Sequence, residues 1–380
     1  MRVLVLGGGY AGVTLARNLE RRLPDEHEIR LIDDDGRQVL QHELHRVVRR
    51  PALAEDVAVD IETVIDRAQL QVGTVEAIQP DDRTVVVDGK STAYDACAVA
   101  IGAAPSTAVN GTDEHGIPLK SLADAKRIHE RASEVIAEQA GRIVVGGAGL
   151  SGVQVAGELA VLADRAASGG HAASITILEQ EPEVAPGFDA PFQRAIRSAM
   201  ESRGIDVRTD ATIDRATAET VELVGDESIP HDLLVWTGGI TGQAAVGGER
   251  PTVDARLRLD DRTFGLGDAV RVVDRDGQAV PATAQAAVRE ADTVATNVER
   301  VLEGGNTFEP RLERFTFESP GWVVSVGNGA VAQVGPTVLT GTAAVAMKAS
   351  VGVGYLSSVG ALRDAVDLVN EELGLAVGRE

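Results

Sequence analysis

Two stretches of the chain repeat one pattern of apolar and polar positions. Residues 2–6 (RVLVL) are an apolar run followed by glycines and the amphipathic segment VTLARNLERRL, and residues 142–147 (RIVVGG) lead in the same way into VQVAGELAVLADRAA. A short β-branched run that ends in glycine is typical of a buried parallel strand, and apolar residues at helical spacing are typical of a helix. Each stretch therefore predicts a strand, a tight turn and a helix.

The glycines between strand and helix have the GxGxxG spacing twice: Gly7, Gly9 and Gly12, then Gly147, Gly149 and Gly152. In this spacing the first glycine makes the tight turn, the second lets the backbone approach a pyrophosphate, and the third lets the helix pack on the strand. Each unit continues to a second strand with an acid at its end, Asp33 in EIRLID and Glu179 in ASITILEQ, and a carboxylate there can accept from ribose hydroxyls. We therefore predict two dinucleotide-binding units.

The acid of the second unit favours an unphosphorylated ribose, because a 2′-phosphate would be repelled and would require a nearby arginine. Arg194 and Arg197 lie further on, in a predicted helix, so NADH is favoured over NADPH. Two such units in one chain have a physical rationale. One dinucleotide stays bound while the other exchanges, and electrons pass between them, which predicts a flavin (FAD) and a nicotinamide (NADH).

The rest of the chain alternates strands and helices. Strands are predicted in QVGTVEAIQP, YDACAVAIG and DLLVWTGGI, a helix after Pro281, and a strand pair in ERFTFESPGWVVSVGNGAVAQVG; the Gly/Ala/Ser-rich tail from about residue 337 ends in the predicted helix SSVGALRDAVDLVNEEL. This order predicts an α/β protein with two Rossmann-like domains and a smaller C-terminal strand and helix region. The predicted division is 1–110 (FAD-binding domain, first part), 111–245 (NADH-binding domain), 246–310 (FAD-binding domain, second part) and 311–380 (C-terminal strand pair and helical tail).

The charge of the 380-residue chain is strongly negative, with 36 basic and 58 acidic residues giving −22, and only four of the basic residues are lysines. Such composition resembles that of proteins from salt-accumulating halophiles, in which molar cation screens the self-repulsion of the carboxylates; an acidic mesophilic protein is the alternative. No basic stripe is present, which argues against a nucleic-acid partner. No run of 18 apolar residues and no signal peptide are found, so the sequence predicts a cytoplasmic protein or one on the cytoplasmic face of a membrane.

Side chains for metal or thiol chemistry are scarce. Cys97 is the single cysteine, so a disulfide, a zinc cluster and a redox dithiol are not expected. His42 and His45 lie three residues apart, but without a third close ligand a packing role is favoured over metal binding. No metal is predicted.

With these pieces in order, the sequence resembles the two-dinucleotide-domain flavoprotein superfamily, and within it the type II NADH dehydrogenases. GGGYAG is similar to that family's FAD fingerprint, GGAGLSGVQVAGELA to its NADH fingerprint, and VAIGAAP, TFGLGDAV, PATAQAA and FESPGWVVSVGNGAVAQV to its later motifs. The resemblance implies hydride transfer from NADH to FAD and then delivery of two electrons to a quinone, without proton pumping.

The resemblance also implies roles for single residues. The implied FAD contacts are Gly7, Gly9, Tyr10, Ala11, Gly12, Asp33, Val75, Ala100, Gly102, Asp268, Ala284 and Gln285, and the implied NADH contacts are Gly147, Gly149, Gly152, Glu179 and Gly238. Glu158, facing the nicotinamide, and Gln285, on the acceptor side of the flavin, are the candidate catalytic residues; the alternative for both is a structural pairing within a helix.

Three departures from the family pattern bear on the acceptor. Gln154 stands where relatives usually carry an acid, Arg289 replaces the second glutamine of the AQxAxQ pattern, and the tail lacks a strongly apolar or basic amphipathic helix. The tail is a candidate for peripheral membrane contact or for a homodimer contact. Two alternatives therefore stay open: a soluble NADH-dependent reductase of a ferredoxin-like or small-molecule acceptor, and a flavin-bound redox sensor or partner scaffold. Sulfide:quinone and disulfide reductases are disfavoured because Cys97 has no second cysteine to work with.

Overall fold

The structure is a computed structural model that describes residues 1–138, 140–167, 173–304 and 310–358, the last eight of them by backbone alone. In chain order the strands are β1 (Arg2–Leu6), β2 (Glu28–Asp33), β3 (Arg37–Val39), β4 (Ala58–Asp60), β5 (Gln69–Val72), β6 (Val75–Gln79), β7 (Thr84–Val87), β8 (Lys90–Ala93), β9 (Ala96–Val99), β10 (Ala103–Pro105), β11 (Gly116–Pro118), β12 (Arg142–Gly146), β13 (Ser174–Leu178), β14 (Asp206–Arg208), β15 (Ile213–Ala216), β16 (Thr220–Leu223), β17 (Ser228–Pro230), β18 (Leu233–Trp236), β19 (Ile240–Gly242), β20 (Thr252–Val253), β21 (Thr263–Gly265), β22 (Arg271–Val272), β23 (Trp322–Val326), β24 (Gly329–Val334) and β25 (Thr337–Thr340).

The helices are α1 (Tyr10–Arg22), α2 (Leu44–Arg49), α3 (Thr112–His115), α4 (Leu122–Ala137), α5 (Leu150–Ala166), α6 (Ala190–Glu201), α7 (Ala284–Glu303) and α8 (Thr342–Ser358). Short 3-10 turns occur at Gln41–Glu43, Pro51–Ala54, Ile61–Thr63, Ala244–Val246 and Gly267–Ala269. None of the helices in the described part of the chain is long and apolar enough to cross a membrane.

Two five-stranded parallel sheets organise the molecule. The first has the order β21-β9-β1-β2-β5 and the second the order β11-β18-β12-β13-β14. The central strands β1 and β12 are apolar and buried because helices cover the sheets, as parallel sheets require. The prediction of two Rossmann-like domains is confirmed.

The two domains also carry the same insertion. A three-stranded antiparallel sheet, β6-β7-β8, follows β5 and precedes β9, and an equivalent sheet, β15-β16-β17, follows β14 and precedes β18. The first sheet is completed only by β21, more than 160 residues after β9, so the first domain is discontinuous. The strands of the second sheet lie between Gly116 and Trp236, inside the predicted range 111–245.

The C-terminal region differs from its prediction in one element. The predicted strand pair is present as β23 and β24, but a third strand, β25, pairs with β24 inside the segment read as tail. The strand was missed because it is only four residues long, TVLT, and its apolar residues Val338 and Leu339 are adjacent and do not alternate with polar ones. Helix α8 follows it, whereas the predicted helix 357–373 lies outside the described residues after Ser358.

The acidic surface generates a prediction about salt. We expect thermal unfolding to shift to higher temperature as KCl is raised from about 0.1 M to about 2 M, because the Debye length falls from about 10 Å to about 2–3 Å and the repulsion between carboxylates is screened. Differential scanning calorimetry measures the shift.

A variant with fewer surface charges provides the control. The side chains of Glu26, Asp81 and Asp82 are exposed, and their joint replacement by Gln, Asn and Asn should flatten the salt dependence. A midpoint that is independent of KCl in the native chain contradicts the screening argument.

Candidate active site

Both predicted glycine turns have the geometry that their spacing requires. Gly7 and Gly147 adopt φ values of +98° and +94°, which favour glycine. A Cβ on Gly12 would lie 1.8 Å from the carbonyl oxygen of Gly7, and a Cβ on Gly152 would lie 1.9 Å from that of Gly147. Any side chain at the third glycine would therefore push the helix off its strand.

The second glycine of each turn faces open space. A Cβ on Gly9 or on Gly149 would meet no atom within 4 Å. These residues are the N-caps of α1 and α5, and neither helix has a capping side chain or an acid in its first turn, whereas Ser121 caps α4 with a complete capping box. Free N–H groups at a helix N-terminus with room in front of them fit a pyrophosphate.

The acid at the end of the second strand supports each turn in the same way. Asp33 Oδ2 accepts a hydrogen bond from the Gly8 N–H at 2.7 Å, and Glu179 Oε2 accepts one from the Ala148 N–H at 2.7 Å. Burial raises the pKa of Asp33 although backbone donors oppose the shift. Each carboxylate keeps lone pairs that can accept from ribose hydroxyls.

The two units face one cavity of about 450 Å³, a volume suited to a small-molecule site. Tyr10 and Ala11 of the first fingerprint and Leu150, Ser151 and Gln154 of the second line it together. The predicted residues at its wall are Gly9, Tyr10, Ala11, Ala100, Gly102, Asp268 and Ala284. Other predicted residues lie behind this wall. They are the glycines of the two turns, Gly7, Gly12, Gly147 and Gly152, and the acids that accept hydrogen bonds from these turns, Asp33 and Glu179.

At Asp268 the cavity wall is formed by a 3-10 turn to which three side chains bind. Glu290 accepts from the Gly267 N–H at 2.6 Å, Arg250 donates to the Asp268 carbonyl at 2.7 Å, and Lys120 Nζ lies 3.4 Å from the Asp268 carboxylate. Burial raises the pKa of Glu290 to about 7. Asp268 is thereby fixed where it can accept a hydrogen bond from a ligand hydroxyl.

Glu158, the first candidate catalytic residue, lies beside Arg49 and is not among the residues that line the cavity. Its side chain is 2% exposed and pairs with Arg49, Nε to Oε2 at 2.7 Å, and Arg49 also donates to the Asn328 side chain. Gln154 lies one helical turn before Glu158 and lines the cavity. The pair with Arg49 joins α5 to α2, whereas the alternative considered for Glu158 was a pairing within one helix, and a role of Glu158 at the nicotinamide stays a prediction.

Gln285 also makes a pairing contact away from the cavity wall. Its Oε1 accepts from the Ser319 hydroxyl at 3.0 Å, and the neighbouring Arg289 donates to the Glu318 carbonyl, so the start of α7 is tied to the segment before β23. The two remaining predicted contacts lie elsewhere. Val75 begins β6 beside the first sheet, and Gly238 packs on the Trp236 ring, which a Cβ would meet at 2.4 Å.

The cavity residues that the sequence analysis did not name as site residues include His42, Glu43 and Lys348. Glu43 is 1% exposed and lies 2.8 Å from Arg46 Nη1 and 3.8 Å from Lys348 Nζ, which in turn lies 3.3 Å from His45 Nε2. A lysine inside the apolar run TAAVAMKASVGVG was the available signal, since an isolated charge in an apolar helix is seldom incidental.

Comparison with known proteins places the chain in a family. The sequence pattern of the family described as pyridine nucleotide-disulphide oxidoreductase matches residues 1–291. The chain belongs to this family and is an oxidoreductase.

Individual proteins resemble the chain over most of its length. The type II NADH:quinone oxidoreductase of Staphylococcus aureus is 26% identical over 357 residues, covering 86% of this chain and 88% of that protein. Among solved structures, NDH2 of Plasmodium falciparum in complex with NADH has a TM-score of 0.82 at 14% identity, covering 100% of this chain and 99% of its own. The sulfide:quinone oxidoreductase of Aquifex aeolicus has a TM-score of 0.79 at 18% identity, with coverages of 100% and 96%. The family resemblance drawn from the motifs is thus confirmed.

The buried pair of Arg49 and Glu158 generates a stability prediction. Glu158→Ala leaves the guanidinium buried without its counter-charge, so we expect a loss of about 3–5 kcal/mol in the free energy of unfolding. Urea unfolding at neutral pH measures it.

Two comparisons separate the effect from a general loss of contacts. The double variant Arg49→Met/Glu158→Met should lose much less, because no charge stays unpaired. Glu134→Ala breaks an exposed ion pair, in which the side chains of Arg131 and Glu134 are 50% and 60% exposed. This variant should lower the free energy of unfolding by less than about 1 kcal/mol. Equal losses in the Glu158 and Glu134 variants would contradict the assignment.

Proposed function

We propose that the chain is an FAD-dependent NADH:quinone oxidoreductase of the type II NADH dehydrogenase kind. The observation that carries this proposal is the single cavity onto which both fingerprint helices open, since it allows two dinucleotides to meet at their reactive ends. Such cofactors carry the redox chemistry themselves, and the protein supplies binding, orientation and electrostatics. The 26% identity to a type II NADH:quinone oxidoreductase supports the choice of substrates.

Each glycine turn with the helix start behind it forms a cradle, Gly7–Gly12 the first and Gly147–Gly152 the second, and the residues around the first cradle fit FAD. The open face of Gly9 and the uncapped start of α1 suit the pyrophosphate of FAD. Asp33 suits its adenosine ribose, and Asp268 suits a hydroxyl of its ribityl chain. Bound FAD supplies the two-electron chemistry that links a hydride donor to an acceptor. The small residues Ala100 and Gly102 leave room at the cavity wall for a flat ring.

The second cradle fits NADH by the same reasoning. Gly149 and the start of α5 suit the pyrophosphate, and Glu179 suits an unphosphorylated ribose. Leu150, Ser151 and Gln154 then line the path to the cavity. The turn geometry of this second unit matches that of the first. The redox-sensor alternative would instead show itself as full bleaching of the flavin by NADH with slow reoxidation by every acceptor.

Thiol chemistry does not fit the chain. Cys97 is fully buried in β9, and burial raises the pKa of its thiol far above the ordinary value. With no second cysteine, the disulfide exchange that gives the family part of its description lacks its reactive pair. Electrons must therefore leave through an acceptor that enters the cavity. A quinone is the acceptor we propose, while membrane contact by the tail and a homodimer stay predictions.

The proposal is tested by separating the two half-reactions. Anaerobic addition of NADH to the FAD-loaded protein in molar KCl should bleach the visible flavin band, NADPH should bleach it much more slowly, and a soluble quinone should restore it. Bleaching without reoxidation by quinone would point to a different acceptor. No bleaching by either nucleotide would overturn the proposal.

Glu179 should set the nucleotide preference. We expect Glu179→Gln to lower the ratio of kcat/KM for NADH over NADPH about tenfold, roughly 1.4 kcal/mol, because the negative charge that repels a 2′-phosphate is lost. Steady-state kinetics with both nucleotides measures the ratio.

Asp33→Asn is the matched control, since it makes the same change in the first cradle. It should weaken retention of FAD on dilution and leave the nucleotide preference of the FAD-saturated protein unchanged. A change of preference in the Asp33 variant, with none in the Glu179 variant, would reverse the assignment of the two cradles.

A further inference from the structure

A phenol, an imidazole and a carboxylate form a chain at the cavity wall. The Tyr10 hydroxyl is hydrogen-bonded to His42 Nδ1, and His42 Nε2 lies 3.2 Å from Glu43 Oε1. Tyr10 is the first residue of α1, while His42 and Glu43 lie in the 3-10 turn that precedes α2. All three line the cavity. The order of groups is that of a hydroxyl, histidine and acid triad.

The charges around Glu43 determine the protonation states of Glu43 and His42. Burial alone would raise the pKa of Glu43, but Lys348, His42 and Arg46 together hold it well below its ordinary value. Glu43 is therefore a carboxylate that only accepts, so His42 Nε2 must carry a proton. The neutral imidazole then accepts the Tyr10 O–H at Nδ1. Protonation of Nδ1 would turn Tyr10 into a donor toward the cavity, and Glu43 would stabilise the imidazolium.

The proposed reaction needs a proton from solvent. NADH, one proton and a quinone give NAD⁺ and a quinol: nicotinamide is oxidised, quinone is reduced, and the hydride brings only one of the two hydrogens that the quinol gains. The second must come from solvent, and Tyr10, His42 and Glu43 offer a route for it because all three line the cavity. The side chain of His42 is 30% exposed and can receive this proton.

We propose that Tyr10, His42 and Glu43 form the proton relay to the electron acceptor. A solvent proton binds His42 at Nδ1. The O–H bond of Tyr10 then breaks as a new O–H bond forms on the acceptor, and the Nδ1 proton of His42 passes to the Tyr10 oxygen. One solvent proton has moved and the triad is restored. Glu43 acts as a positioning residue, and this inference rests on the proposed function.

The pKa of His42 depends on burial and on the charged groups that face it. Glu43 favours the imidazolium, whereas Lys348 and Arg46 oppose it, and burial lowers the pKa of His42 further. His42 is thus neutral at rest and takes up a proton when negative charge develops on the acceptor. Gln154, which replaces the usual acid on the opposite side of the cavity, cannot serve this purpose because an amide does not titrate.

Three substitutions test the relay: Tyr10→Phe, His42→Gln and Glu43→Gln. The extent and rate of bleaching by NADH are measured first in each variant, since they report its FAD content and its reductive step, and reoxidation is then compared for the reduced flavin alone. Reoxidation by a soluble quinone should slow roughly 100-fold in the Tyr10 and His42 variants and about tenfold in the Glu43 variant. The solvent deuterium isotope effect on reoxidation should increase in the Tyr10 and His42 variants, because proton delivery becomes the slow step, and the pH dependence that His42 causes should be lost in the His42 variant.

Two further measurements separate proton transfer from packing. Added imidazole should restore part of the reoxidation rate to His42→Ala, which a structural role would not allow. Nitrogen-15 NMR of the resting protein should show His42 as the Nε2–H tautomer, with the signal identified by its loss in His42→Gln. His115→Gln, at a partly exposed site in the other domain, is the control and should match the native chain.

The outcomes separate the relay from the function on which it rests. If native protein is not bleached by NADH, the proposed function fails. If it is bleached and reoxidised, but Tyr10→Phe and His42→Gln reoxidise at the native rate with an unchanged isotope effect, the relay is wrong. An Nδ1–H tautomer of His42 would also overturn it, because the Tyr10 hydroxyl would then have no acceptor at that nitrogen.

Discussion

The contact on which the structure depends is the one between the third glycine of each fingerprint and the carbonyl oxygen of the first. With a Cβ only 1.8 or 1.9 Å from that oxygen, Gly12 and Gly152 admit no side chain. This approach lets the helix start directly at the end of a buried strand, so its free N–H groups point past Gly9 or Gly149 into open space. Anion binding at these two ends then follows from backbone geometry alone.

The cavity between the cradles depends on a second constraint, the pairing of buried charge. Lys348 lies about 300 residues after Glu43 and Arg46 in the chain. Each of these three charged side chains would be costly to bury alone. Packing α8 against the 3-10 turn before α2 satisfies them together. The C-terminal region therefore does more than cover the sheets, since it brings a cation to the wall of the site. Arg49 and Glu158 link α2 and α5 in the same manner.

The sequence predicted the features that local geometry determines. The glycine spacings, the strands RVLVL and RIVVGG, and the acids Asp33 and Glu179 each follow from backbone requirements within about 30 residues, and the structure has them in nearly identical form twice. It could not predict the partner of Glu158, because the rotation of a helix against a distant segment depends on tertiary packing. The pairing of Glu43 with Lys348 was hidden for the same reason.

The acidic surface and the uncapped helix starts have opposite effects on the binding of an anionic ligand. A chain with a net charge of −22 repels an anionic dinucleotide at low salt, and at molar salt the Debye length of about 3 Å removes long-range attraction as well as repulsion. Binding must then come from contacts at hydrogen-bond distance. Helix starts without a capping side chain or an acid in the first turn provide such contacts at both cradles, and salt screens them little once the pyrophosphate has displaced water. In this acidic chain, backbone N–H groups at the two helix starts thus take the part that cationic side chains could play in binding an anionic ligand.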